Sequence, residues 1–219
     1  MNGVTRVSCM RNTAPSKAES ALLEPFATLP LDRIDVPETE AEFALATEAI
    51  FAAGIVGFDT ESKPIFDRGV ISDGPHVVQF SLVSCAYIFQ LHRAECRAFL
   101  IKILESEAVL KVGFGLRSDH KEIRAKLGVT LRAVLDMNDV FRKDGHRGTT
   151  GARAAVAIVM NQKFHKSKAV STSNWSLPQL SPKQLLYAGN DAYVAIKVLM
   201  AMDLPLDHLP IAGVTSASK

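Results

Sequence analysis

Residues 54–61, Gly-Ile-Val-Gly-Phe-Asp-Thr-Glu, form a short apolar run that ends in two acids, and their reading decides the fold. Such a run, bounded by glycine and polar residues, is a buried strand. Upstream, residues 38–53 (ETEAEFALATEAIFAA) space their apolar side chains as a helix does, and Gly54 stops them. Downstream, 77–84 (VVQFSLVS) and 86–91 (AYIFQL) read as two further strands joined by a turn near Cys85.

Helices and strands then alternate. Residues 94–106 (AECRAFLIKILES) are an amphipathic helix, 109–115 (VLKVGFG) a buried strand, and 117–128 (RSDHKEIRAKLG) a helix closed by Gly128. Residues 134–141 (VLDMNDVF) start as a strand and turn helical, and 151–162 (GARAAVAIVMNQ) form an apolar helix. Ser181-Pro182-Lys183-Gln184 opens the last helix, with Ser as cap, Pro in the first turn and Gln placed for a capping box. Three early strands followed by alternation predict an α/β fold, a mixed central sheet flanked by helices, in a single domain over residues 31–204. Residues 1–30, rich in Ser, Ala, Thr and Pro, read as a loosely ordered N-terminal tail, and 205–219 as a C-terminal tail.

Of the 219 residues 47% are hydrophobic and 22% charged, which is ordinary for a globular chain. No stretch approaches the roughly 20 apolar residues with which a helix crosses a bilayer, so no membrane-spanning helix is expected. Cys9, Cys85 and Cys96 are too widely spaced for a metal-type pair; they indicate a reducing setting, with Cys85 and Cys96 as buried fillers. The N-terminus, with Arg6, Arg11 and Lys17, lacks the apolar run of a secretory signal, and the expected location is cytoplasmic. The net charge of +2 hides a basic segment, 142–168, in which Arg142, Lys143, Arg147, Arg153, Lys163, Lys166 and Lys168 face one acid, Asp144. It is either a solvated face or a phosphate-binding surface.

Three features carry chemistry. Asp59 and Glu61 are two apart on a strand and point the same way, where they repel unless a cation joins them; hard divalent ions want such oxygen ligands. Asp119 follows a strand and a glycine-containing turn, in the first turn of a helix, where it either offsets the helix dipole or ligates a cation. Tyr187 and Asp191, four apart, share a helix face with Leu180, Gln184, Val194 and Val198, and an aspartate on that apolar face needs a cation or strong donors. Gly189 on this helix permits a close neighbour or ligand.

These motifs, FDTE (58–61), KVGFGLRSD (111–119) and YAGNDA (187–192), resemble the DEDD superfamily of 3′→5′ exonucleases in its tyrosine-containing branch. The ribonuclease H-like fold of that superfamily is the one expected here. SKPIF (62–66) and Ser173-Asn174-Trp175 resemble the Werner-syndrome-protein exonuclease type, and ribonuclease D more distantly. YAG stands where YAA is commoner, and 148–157 lacks the usual leucines.

The resemblance implies hydrolysis at the 3′ end of a nucleic acid, DNA by preference, releasing nucleoside 5′-monophosphates. It implies two divalent ions, Mg²⁺ or Mn²⁺. Asp59 bridges them, Glu61 and Asp191 complete the site of the ion that activates water, Asp119 holds the second ion, and Tyr187 orients the water. Thr60, Phe114, Leu116, Arg117, Arg147, Lys166, Lys168 and Trp175 are the substrate-binding candidates; Phe114 and Leu116 serve the terminal base or sugar or else the core, and Trp175 stacks on a base or anchors its loop. Partners are single-stranded or recessed duplex 3′ ends, with a helicase or repair protein on another chain. No membrane is involved, and the sequence carries no signature of an oligomeric state. Ribonuclease D-like RNA trimming and a non-catalytic nucleic-acid-binding module are the alternatives.

Overall fold

A six-stranded mixed sheet organises the protein in a computed structural model that describes residues 13–65, 69, 72–146 and 148–215. A short helix α1 (Lys17–Ala21) and strand β1 (Glu24–Pro25) come first, followed by β2 (Ile34–Asp35), α2 (Glu40–Ala53) and β3 (Ile55–Glu61). The hairpin β4 (Val77–Ser81) and β5 (Ala86–Gln90) precedes α3 (Cys96–Leu104), β6 (Leu110–Gly113), α4 (Arg117–Leu127) and β7 (Val134–Asp136). Next come α5 (Met137–Lys143), α6 (Ala152–Met160), β8 (Gln162–Lys163), α7 (Lys168–Ser171) and the long α8 (Pro182–Met202).

The sheet runs β2-β5-β4-β3-β6-β7; β4 is antiparallel to both neighbours, and the other pairings are parallel. This is the mixed, helix-covered sheet expected, with β3 at its centre. Thr39 and Glu42 form a capping box at the start of α2, and Gly54 in the left-handed region (φ 67°) ends it. Ser181 and Gln184 cap α8 in the same way, as their spacing requires.

Alternation along β3 serves two cores. Val56 and Phe58 face Phe43, Ile50, Leu100 and Ile123 on the side of α2, α3 and α4. The other face of the sheet is covered by α8, whose Ala188, Val194, Ala195 and Val198 are buried. Gly57 lies on that face, where an added Cβ would stand 1.9 Å from the Ala192 carbonyl oxygen. Gly189 meets Ile34 and Ala86 at 2.9 and 3.3 Å in the same sense, so its close neighbour is the sheet. Glycines and alanines thus let the α8 backbone lie directly against the sheet.

Both expected tails are shorter than their composition suggests. Residues 24–29 are packed: β1 pairs with β8, and Phe26 and Leu29 are buried, Phe26 edge-on against Phe164. At the other end Ala212 bridges to Val134, and the Thr215 hydroxyl donates to Glu107. Isolated apolar residues in a polar context gave no periodicity from which to foresee these contacts. Cys96 is buried as expected; Cys85 is half-buried in the hairpin turn. Cys9, Phe66 and Arg147 lie outside the described residues.

Candidate active site

The close approach of α8 to β3 brings three acids together. Asp59 and Glu61 follow Gly57 on the same face of β3, and Asp191 immediately precedes Ala192. One carboxylate oxygen from each of Asp59, Glu61 and Asp191 lies within 4.8 Å of the others. Asp191 is 4% exposed, and the Lys166 ammonium stands 2.7 Å from its Oδ2 as an ion pair. Three carboxylates facing one ammonium leave an excess of negative charge that is costly to bury. This donor set therefore fits a hard divalent cation, and Asp59, Glu61 and Asp191 can hold one.

The electrostatics agree. Burial, then Asp119 and Asp191, raises the Asp59 carboxyl well above the usual range. Burial, then Asp59 and Asp191, pushes Glu61 up to about 10. Burial also raises Asp191, against the opposing pull of Lys166. Burial alone would lower Lys166, but Asp191 and Asp59 outweigh it and keep the ammonium charged. Close like charges that resist ionisation in this way are a cluster whose repulsion a bound cation would relieve.

Asp119 approaches from the other side of β3. Thr60 points toward α4, and its hydroxyl donates to Asp119 Oδ1 at 2.5 Å, while its amide donates to Asp59 Oδ1 at 2.9 Å. Asp119 is 8% exposed and is raised by burial, so it is more than a solvated dipole partner. It stands beside the three-acid group, and Thr60 is the link between them.

The turn before Asp119 is held by Asp136 at the end of β7. Gly115, in the left-handed region (φ 73°), and Leu116 donate their amides to the two Asp136 oxygens at 2.9 and 3.0 Å. The same carboxylate caps α5 through the Asn138 amide at 3.0 Å. Asp136 escaped the sequence reading because nothing in VLDMNDVF separates it from an ordinary helix cap. Asn190 was missed too: its side chain accepts from the Leu29 amide at 2.7 Å and donates to the Leu29 carbonyl at 3.1 Å, tying the N-terminal segment to α8 beside Asp191.

Tyr187 lies one turn before Asp191, with the Lys166 ammonium 5.3 Å from its ring centre. Burial, then Asp191, pushes its hydroxyl up to about 12, so it stays protonated at neutral pH. Two of the expected substrate contacts are corrected. Trp175 is 1% exposed, packs 5.9 Å from the Tyr187 ring and donates its Nε1 to the Ser171 carbonyl at 3.2 Å, so it anchors the loop and offers no face to a base. Leu116 is 3% exposed, inside the core on the α4 side. Phe114 lines a cavity of about 430 Å³ together with Asp59, Asn138, Lys166 and Asp191. Arg117 and Lys168 are exposed at the starts of α4 and α7.

Fold and site together are those of a hydrolytic nuclease. Residues 34–207 match the family model described as 3'-5' exonuclease, and the chain belongs to that family, within the DEDD superfamily. It is similar to a "3'-5' exonuclease" of Arabidopsis thaliana, 28% identical over 154 residues, covering 68% of this chain and 53% of that protein. It is also similar to the mouse (Mus musculus) "Bifunctional 3'-5' exonuclease/ATP-dependent helicase WRN", 29% identical over 146 residues, 65% of this chain and 10% of that one. The chain thus spans about half or less of the length of these relatives. Among solved structures, Trypanosoma brucei RNase D superposes with a TM-score of 0.71 at 18% identity, over 81% of this chain and 66% of that one, a likeness of fold. No helix among the described residues is long and apolar enough to cross a membrane.

Proposed function

We propose that the chain removes nucleotides one at a time from the 3′ end of DNA, releasing nucleoside 5′-monophosphates, with two divalent ions, Mg²⁺ or Mn²⁺, held by Asp59, Glu61, Asp191 and Asp119. The observation that carries this reading is the convergence of three carboxylates, one oxygen of each within 4.8 Å of the others, beside the single ammonium of Lys166. When bound, such ions supply Lewis-acid activation of water and neutralise charge at the phosphodiester. The protein's own share is positioning. Tyr187, protonated, orients the attacking water by its hydroxyl, and its position one turn before Asp191 supports the tyrosine-branch reading. Thr60 keeps Asp119 and Asp59 in register, Phe114 meets the terminal base or sugar, and Lys166 holds charge opposite the phosphate. Arg117 and Lys168 are phosphate contacts further out, and Arg147 is a further candidate by its charge alone.

DNA is favoured by the SKPIF and Ser173-Asn174-Trp175 segments and by likeness to a relative whose name joins exonuclease to helicase. That likeness also supports a helicase or repair partner on another chain and a role in DNA repair. A second reading, trimming of RNA 3′ ends, is favoured by the likeness of fold to RNase D. Matched 5′-labelled DNA and RNA strands with Mn²⁺ distinguish them: a faster descending ladder on DNA supports the first, on RNA the second. Full-length retention of both contradicts the exonuclease reading.

A further inference from the structure

The first turn of α6 forms one wall of the cavity of about 430 Å³ that also contains Asp59 and Asp191. Its N-cap is Gly151, which has no side chain to offer the free amides, and no acid in the first turn answers the positive end of the helix dipole. Ala152 and Ala154 leave that backbone uncovered, and Arg153 adds a full positive charge. A helix start of this kind favours an anion. Asn138, only 7% exposed, lines the same cavity, and its buried Oδ1 has no hydrogen-bond partner. A buried acceptor left unpaired is destabilising until a donor arrives. The cavity therefore calls for a ligand that combines an anionic group with hydroxyl or N–H donors, as a nucleotide does.

Arg153 and Ala154 also line a second cavity, of about 690 Å³, which reaches Lys163 and His165 and has no acid among its described lining residues. Its outer wall is Ala14, Pro15, Ser20 and Ala21, upstream of the region 34–207 that matches the family. Resting on the exonuclease reading, we propose that the strand runs from the acidic centre across the first turn of α6 and into this second cavity. The free amides of that turn and Arg153 hold a backbone phosphate on the 5′ side of the scissile one. Lys163 and His165 line the onward path, and Asn138 accepts a hydrogen bond from the terminal nucleoside. The chain's own N-terminal segment thereby supplies part of the track.

The test compares an oligonucleotide with the p-nitrophenyl ester of thymidine 5′-monophosphate, which carries the scissile phosphodiester and no upstream phosphate. Arg153→Glu and Ala152→Asp are measured on both substrates. Ala152→Asp places an acid where it favours the helix dipole, so its melting temperature stays at or above wild type. In both variants the ratio of kcat/KM on the oligonucleotide to that on the ester is expected to fall by about tenfold or more, mainly through KM. Lys102→Glu, on α3 across the sheet, controls for charge and leaves the ratio unchanged. An unchanged ratio in Arg153→Glu and Ala152→Asp, or equal losses on both substrates, overturns the path alone. A wild type inert on both substrates overturns the exonuclease reading with it.

Discussion

Gly57 of β3 lies so close to Ala192 of α8 that a Cβ on the glycine would stand 1.9 Å from the alanine carbonyl oxygen. Two residues after Gly57 is Asp59, and one residue before Ala192 is Asp191. The contact between two backbones therefore sets the separation of two carboxylates. Gly57→Ala must push α8 away from the sheet. The expected cost is about 3 kcal/mol, near the upper end for overpacked cores, or roughly 6–12 °C in melting temperature for a chain of this size. Thermal unfolding measures the first effect, and a loss of hydrolysis larger than the stability change explains measures the second.

Removing charge from the acidic centre is expected to separate stability from activity. Asp59→Asn relieves repulsion among the clustered carboxylates while the Lys166–Asp191 ion pair stays in place, so this variant should melt at or above wild type in EDTA while losing activity. Asp191→Asn should lose activity too, but it also takes the ion-pair partner from Lys166. A lower melting temperature for Asp59→Asn in EDTA would contradict the electrostatic account.

The pH dependence follows from the same groups. Burial and Asp59 raise Glu61 from 4.5 to about 10 in the folded protein. Between those values the folded state keeps protons that the unfolded chain releases, so metal-free stability falls as pH rises through that window. Mn²⁺ should restore stability most strongly at the alkaline end, because it binds the ionised form. Melting curves from pH 5 to about pH 9, with and without Mn²⁺, check this, and Glu61→Gln should flatten the metal-free slope.

Asp136→Ala removes acceptors from the amides of Gly115, Leu116 and Asn138. Loss of a cap costs about 1–2 kcal/mol, and the turn that carries Phe114 and leads to Asp119 is loosened. The expected outcome is a tenfold or so drop in kcat/KM with modest destabilisation. Wild-type kinetics would show that the turn holds without Asp136.

Periodicity and caps were enough to read most of this fold. The helix from Thr39 to Gly54, the strand pair joined at Cys85 and the Ser181–Gln184 helix start fell where their local chemistry puts them. Strand and helix spacing pair Asp59 with Glu61 and Tyr187 with Asp191, while the meeting of the two pairs in one centre was legible from the order of the motifs and the family they resemble. What escaped was tertiary: Phe26 and Leu29 are ordinary apolar residues until Phe164 and Asn190 are folded beside them. Trp175 and Leu116 stayed open between two roles for the same reason, since a large apolar side chain looks alike whether it meets a base or the core. Gly57 carried no signal until α8 was laid across it.

The most direct test is hydrolysis of a 5′-labelled strand in Mn²⁺ by wild type, Asp59→Asn and Asp191→Asn, all shown to be folded. The account expects a descending 3′→5′ ladder from wild type, abolished by EDTA, and rates at least about a thousandfold lower in both variants, in line with the loss of a metal ligand. Rates within about tenfold of wild type in either variant would show that the carboxylates gathered by Gly57 and Ala192 are not the catalytic centre.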